Sequence, residues 1–154
     1  MLGAQQAGHS VEKVFLDDMQ INNCTGCCVC YQTHKCEQHD DMADILDKMV
    51  SADVIVMATP VYFYTMNARM KTLIDRTMAR YNEIRNKDFY FIVTAADTRT
   101  NMMKRAIESL RGFTEDCLHG AKEKGIVYGV GAWNVGDIKK SPSMQEAFEM
   151  GTKC

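Results

Sequence analysis

Apolar positions along the chain follow two patterns. In the first they run without interruption: Val54-Ile55-Val56-Met57-Ala58, Phe89-Tyr90-Phe91-Ile92-Val93 and Ile126-Val127-Tyr128-Gly129-Val130. Runs without alternation predict strands buried on both faces, as in a parallel sheet. In the second they recur at three and four. Met42, Ile45, Leu46, Met49 and Val50 form one such stripe, and Met66, Met70, Leu73, Ile74, Met78 and Tyr81 a second. A third holds Met103, Ala106, Ile107, Leu110, Cys117, Leu118 and Ala121. That spacing predicts helices with one apolar face. Asp40 or Asp41 is placed to cap the first of these helices and Thr65 the second, and Gly125 closes the third. Ser141-Pro142 opens a last helix, with proline at its first position. Met1–Ala7 reads as the tail of a helix ending at Gly8, and Val11–Leu16 as a short strand.

Strands alternating with amphipathic helices predict an α/β fold, a doubly wound sheet in three layers, and residues 1–154 read as one domain. Pro60, which has no amide to donate, is expected to end its strand. Three loops then meet at the carboxyl edge of the sheet: Thr59–Thr65, Thr94–Arg99 and Gly131–Asp137. In open parallel sheets that edge receives ligands. The first loop carries Val61-Tyr62-Phe63-Tyr64, a shelf for a flat ring or, equally, a plug for the core or a dimer interface. Trp133, in the third, is suited to shielding a cofactor or to ordinary packing.

Composition narrows the function. Eighteen Lys and Arg against twenty Asp and Glu leave a net charge of −2, which gives no electrostatic ground for nucleic acid or an anionic membrane as partner. No apolar stretch approaches the roughly 20 residues of a bilayer span. The opening MLGAQQAGHS lacks the pattern of a secretory signal, so a cytoplasmic location is expected. Paired catalytic carboxylates, a Ser-His-Asp order and a P-loop are all lacking.

Five of the seven cysteines fall between Cys24 and Cys36. Such crowding in one loop points to metal or redox chemistry rather than to a disulfide scaffold. Cys24-x-x-Cys27-x-x-Cys30-x5-Cys36 can hold an iron–sulfur cluster. It can also hold zinc, although structural zinc sites usually separate two pairs, or it can be four free thiols. Cys28 offers an alternative ligand beside Cys27. His34 and His39 read as solvated loop residues, Cys117 as buried packing and Cys154 as an exposed, reactive thiol. Lys71 reads as part of a solvated helix face. Asp75 and Arg76 are placed to tie their helix to a loop or to a partner chain.

TPVYFYTMNARMKTLIDR, the cysteine loop leading into Asp40-Asp41-Met42, and YGVGAWNVGDIKKSP occur in the order found in the flavodoxin-like NAD(P)H-dependent FMN reductases, and the chain resembles that family over essentially its whole length. The cysteine spacing is similar to that of its iron–sulfur flavoprotein branch. The resemblance implies FMN packed on Thr59, Pro60, Val61, Tyr62, Phe63 and Tyr64, with Thr94, Ala95, Ala96 and Asp97 as a second wall. It also implies a [4Fe–4S] cluster on Cys24, Cys27, Cys30 and Cys36, NAD(P)H as electron donor, a small-molecule acceptor and a homodimer. Members of the family begin with a further strand and a phosphate-binding loop, so the first strand is expected to be missing here. Val11–Leu16 would then move inward beside Val54–Ala58, pair with another chain, or leave an edge open. A carrier that passes electrons without turnover, and a remnant that no longer binds FMN, are the rival readings.

Overall fold

The computed structural model describes all residues, 1–154. Its elements are α1 (Leu2–Gln6), α2 (Cys30–Thr33), α3 (Met42–Ser51), β1 (Val54–Tyr62), β2 (Thr65–Met66), α4 (Ala68–Arg76), β3 (Asp88–Thr94), α5 (Lys104–Cys117), β4 (Lys122–Gly129) and α6 (Ser143–Gly151). The sheet order is β2-β1-β3-β4. β1, β3 and β4 are parallel, with Met57 opposite Phe91 and Phe91 opposite Ile126, while the two residues of β2 fold back antiparallel on the end of β1.

Met57, Phe89, Phe91 and Val93 project from one face of the sheet into a core shared with Met42, Ile45, Leu46 and Met49 of α3, Met70 and Leu73 of α4, and Ile107 and Leu110 of α5. Each such side chain contributes about 1.5–3 kcal/mol on burial, which makes this face the main stabilising layer. α6 packs over β4 on the other face, with α1 beside it. The two helices approach so closely that a Cβ on Gly3 would lie 2.0 Å from the Phe148 carbonyl oxygen, which only glycine permits. Arg111 clamps α5 to β4 through two hydrogen bonds to Glu123, 2.8 and 2.9 Å.

Several expectations from the sequence change here. β1 is buried on one face only: Met57 is 3% exposed and its neighbour Val56 is 53% exposed, because α1 and α6 lie over β4 and not over β1. Pro60 does not end the strand. It pairs with Thr94, and β1 tolerates it because no strand flanks Val54–Pro60 on the other side. Val11–Leu16 forms no strand. Residues 11–15 are irregular and Leu16–Asp18 is a 3-10 turn. Glu12 pairs with Lys48, and the ammonium of Lys13 stands 5.5 Å from the centre of the Phe15 ring, so the segment is held by surface contacts. Inward movement of Val11–Leu16 beside β1 is therefore not what this chain does.

Asn67, not Thr65, caps α4, its side chain accepting from the Met70 amide at 2.9 Å. α4 ends at Arg76, and Met78 and Tyr81 fall in 3-10 turns. α5 stops at Cys117 and the chain turns at Gly120, φ +71°. Gly125 therefore lies inside β4, an edge strand whose first residues, Lys122-Glu-Lys, carry the polarity of a helix end. Cys117 is exposed, and Cys154 is half-buried with its thiol donating to the Gly151 carbonyl at 3.1 Å.

Candidate functional site

The carboxyl edge of the sheet brings the three loops together. Ala95 donates to the Gly129 carbonyl (2.9 Å), Ala132 to Ala95 (2.9 Å) and Gly131 to Asp97 (3.0 Å), which ties the exit of β3 to the exit of β4. On the other side β1 turns into β2 through Phe63 and Tyr64. Both residues have positive φ, +48° and +69°, and Tyr62 pairs with Thr65 across them. A two-residue hairpin with both central residues at positive φ is the turn that Asn-Gly normally fills. Here two bulky aromatics fill it, at a cost of about 1–2 kcal/mol each. Phe63 is 98% exposed and Tyr62 and Tyr64 are also exposed, so neither core packing nor turn preference explains them. The amides of Phe63, Tyr64, Ala96 and Asp97 donate to nothing in the chain.

Of the expected ring-binding residues, Thr59 is buried. It accepts from the Asn67 amide (3.1 Å) and donates to the Pro60 carbonyl (2.9 Å), so it holds the hairpin to α4 rather than facing solvent. Pro60 and Val61 are half-buried behind the turn. The Arg105 guanidinium lies 5.7 Å from the centre of the Tyr64 ring. Asp97 is held by the Arg99 guanidinium and amide; the Arg99 side chain contributes most to lowering its carboxyl, to about 2. Trp133 is exposed and packs no core.

The cysteine loop lies apart, against the far end of α4. Cys24, Cys27, Cys28, Cys30 and Cys36 line a cavity of about 30 Å³ with Arg76, Met78 and Ala79. Cys24, Cys27 and Cys28 are exposed, while Cys30 and Cys36 are half-buried. Gly26 and Cys28 both take positive φ, and the Cys28 thiol turns to the Gly26 carbonyl at 3.3 Å. Burial pushes the Cys30 thiol up, and Cys27, Cys36 and Cys24 raise it further as neighbouring negative charges. No three Cys, His or carboxylate groups stand close enough to share one metal ion.

Arg76 ties α4 to this loop, one of the two roles its place at the helix end suggested, while Asp75 pairs with Lys71 on its own helix. Arg76 is buried, 2% exposed. Its Nη1 and Nη2 donate to the Asp40 carboxylate at 2.7 and 2.9 Å, and Nη1 also donates to the Asn22 carbonyl at 2.7 Å. Asp40 in turn accepts from the amides of Asn22 (2.9 Å) and Met42 (3.2 Å). One ion pair thus fastens both ends of the cysteine loop to α4. Only the Asp-Arg ending of α4 and the Asp40-Asp41 pair hinted at it.

Burial alone would raise the Asp40 carboxyl. The Arg76 and amide hydrogen bonds outweigh it and hold the group at about 2, against an ordinary 3.8. The folded value lies below the unfolded one, so the stabilisation is complete above about pH 4 and is lost as pH falls toward 2, and it amounts to about 2 kcal/mol. Urea titrations between pH 6 and pH 2 are expected to show wild type losing that much more stability than Asp40→Asn. Parallel curves would place the acid sensitivity elsewhere.

Comparison with known proteins gives the family and the fold. The model of the family described as NADPH-dependent FMN reductase matches residues 2–124. An iron–sulfur flavoprotein of Archaeoglobus fulgidus is 40% identical over 94 residues, 59% of this chain and 46% of that protein. Another, of Methanosarcina thermophila, is 27% identical over 155 residues, 97% of this chain and 75% of that one. The chain spans between a third and a half of the length of two Archaeoglobus fulgidus iron–sulfur flavoproteins that it matches. An FMN-dependent NADH-azoreductase from Bacillus anthracis, solved in complex with FMN, shares the fold with a TM-score of 0.71 at 15% identity, over 98% of this chain and 85% of that one. With most of its length matched by the family model, the chain belongs to the NADPH-dependent FMN reductase family.

Proposed function

We propose that the chain is an FMN-dependent NAD(P)H oxidoreductase with two cofactor stations, a flavin on the aromatic hairpin and a [4Fe–4S] cluster in the cysteine loop. The observation that carries the reading is the hairpin tip. Phe63 and Tyr64 are strained, exposed and positioned at the ligand edge of a parallel sheet. An apolar shelf with free amides beside it suits a flat heteroaromatic ring with a polar rim. Tyr62, Phe63 and Tyr64 would carry the ring face, with Pro60 and Val61 backing them. The amides of Phe63, Tyr64, Ala96 and Asp97 would meet its polar rim, and Thr94 and Ala95 would complete the wall. Thr59 would position the hairpin without touching the ring. No glycine-rich turn leads into an α-helix on this edge, so the fit concerns the ring and not the phosphate tail.

The cysteine loop is read in the same way. Four thiols around one cavity repel one another as thiolates, and a cationic core relieves that repulsion. Zinc would need its ligands within 2.0–2.3 Å of one point. No three of these groups converge that far, while four thiols on one cavity are the donor set an iron–sulfur cluster would take. Cys30 and Cys36 would supply the fixed ligands and Cys24 and Cys27 the exposed arm. Cys28, turned toward Gly26, would stand aside. The chemistry supplied on this shelf would be hydride acceptance from a reduced nicotinamide by bound FMN and, with the cluster, one-electron transfer to an acceptor. The chain's own part is to hold the ring at the sheet edge and to hold the thiols off α4.

The test is a flavin titration of anaerobically purified protein loaded with iron and sulfide, followed by NAD(P)H oxidation with an added acceptor. Quenching of flavin fluorescence and steady oxidation are expected. Cys30→Ser is expected to lower bound iron at least tenfold while flavin quenching persists. Wild type that neither quenches flavin nor binds iron would overturn the reading.

A further inference from the structure

Arg76 does more than close the cysteine loop. Its Nη atoms are committed to Asp40 and Asn22, while its Nε, fully buried, has no hydrogen-bond partner. A buried guanidinium N–H without an acceptor is costly, more so because the group is charged. Native folds therefore rarely leave one unexplained. Arg76 lines the same cavity as Cys24, Cys27, Cys30 and Cys36, and although Glu37, Gln38 and Asp75 line it too, none of their oxygens accepts from Nε. Cys36 is close enough to favour the charged guanidinium, after the larger effect of Asp40.

We infer that Arg76 is a positioning residue whose buried Nε–H is reserved for the sulfur of Cys36, a charge-assisted N–H···S hydrogen bond that forms when this cysteine is a thiolate ligand. Asp40 fixes the guanidinium plane so that Nε faces the thiol, and Asn22 keeps it from turning away. This role rests on the cluster reading of the cysteine loop. Hydrogen bonds to ligand sulfur and nearby positive charge both favour the more negative, reduced form and raise the reduction potential. Arg76 therefore makes the site easier to reduce by one electron.

Two measurements on the reconstituted full chain test it. In wild type grown with ¹⁵N-labelled arginine, pulsed electron paramagnetic resonance of the reduced cluster is expected to show a ¹⁵N coupling that is absent from unlabelled protein. Arg76→Lys keeps the charge and removes Nε. It is expected to require a tenfold more reducing couple, 59 mV for one electron, with iron content unchanged. No arginine coupling, or an unchanged potential in an iron-loaded, folded Arg76→Lys protein, would overturn the role while leaving the cluster reading intact. Wild type that takes up no cluster would remove both. If Arg76→Lys fails to fold, the labelling experiment decides alone.

Discussion

Asp40→Ala is expected to destabilise the chain by about 3–5 kcal/mol, because it strands a buried charge. The Asp40 carboxylate is fully covered, as is the Arg76 side chain. Removing it leaves the guanidinium without its bidentate partner and frees the amides of Asn22 and Met42. Arg80 offers the comparison within the same chain: its partners Asp47 and Glu83 are exposed, and pairs of that kind contribute about 0–1 kcal/mol. Asp47→Ala should therefore be nearly silent where Asp40→Ala is not. Guanidinium unfolding of both variants and of Asp40→Leu/Arg76→Met separates the causes. The double variant buries no charge and is expected to recover much of the loss. A loss below 1 kcal/mol for Asp40→Ala would show that the pair is not desolvated. Loss of stability would also release both ends of the cysteine loop, so bound iron should fall with it.

The residues that organise the molecule differ in how plainly they announce themselves. Phe89–Val93 reads as a strand because it is central and apolar throughout, and the helix stripes of α3 and α5 read because one face of each is in the core. Lys122–Gly125 does not, because an edge strand needs no apolar alternation. Val11–Leu16 misleads in the opposite sense, since its apolar residues lie on a segment with no neighbouring strand. The loops at the carboxyl edge could be located from where the apolar runs stop, and the cysteine cluster from spacing alone. The Arg76–Asp40 pair spans 36 positions, and no local pattern joins a helix-terminal arginine to a loop aspartate. The hairpin at Phe63-Tyr64 was illegible for a different reason. The sequence marker for such a turn is Asn-Gly, and this chain forms the turn without it.

That last mismatch yields the most discriminating expectation. Replacing the hairpin tip by the residues the turn prefers, Phe63→Asn with Tyr64→Gly, is expected to raise stability by about 1–3 kcal/mol and to abolish flavin quenching. Each positive-φ aromatic costs about 1–2 kcal/mol, and Asn-Gly adopts the conformation without that strain. Against the gain stands the contact of Arg105 with the Tyr64 ring, about 0.5–1 kcal/mol at an exposed site. Phe63, with its side chain in solvent, forfeits nothing on removal. A structural turn would gain stability and keep its ligand chemistry, while a packing element would lose stability. Only a ring-binding shelf gives opposite signs, a higher melting temperature with weaker flavin binding, because strain held at a ligand edge is retained for what the edge binds. A melt that falls on substitution would show that the aromatic pair serves the fold, and the flavin assignment at this hairpin would go with it.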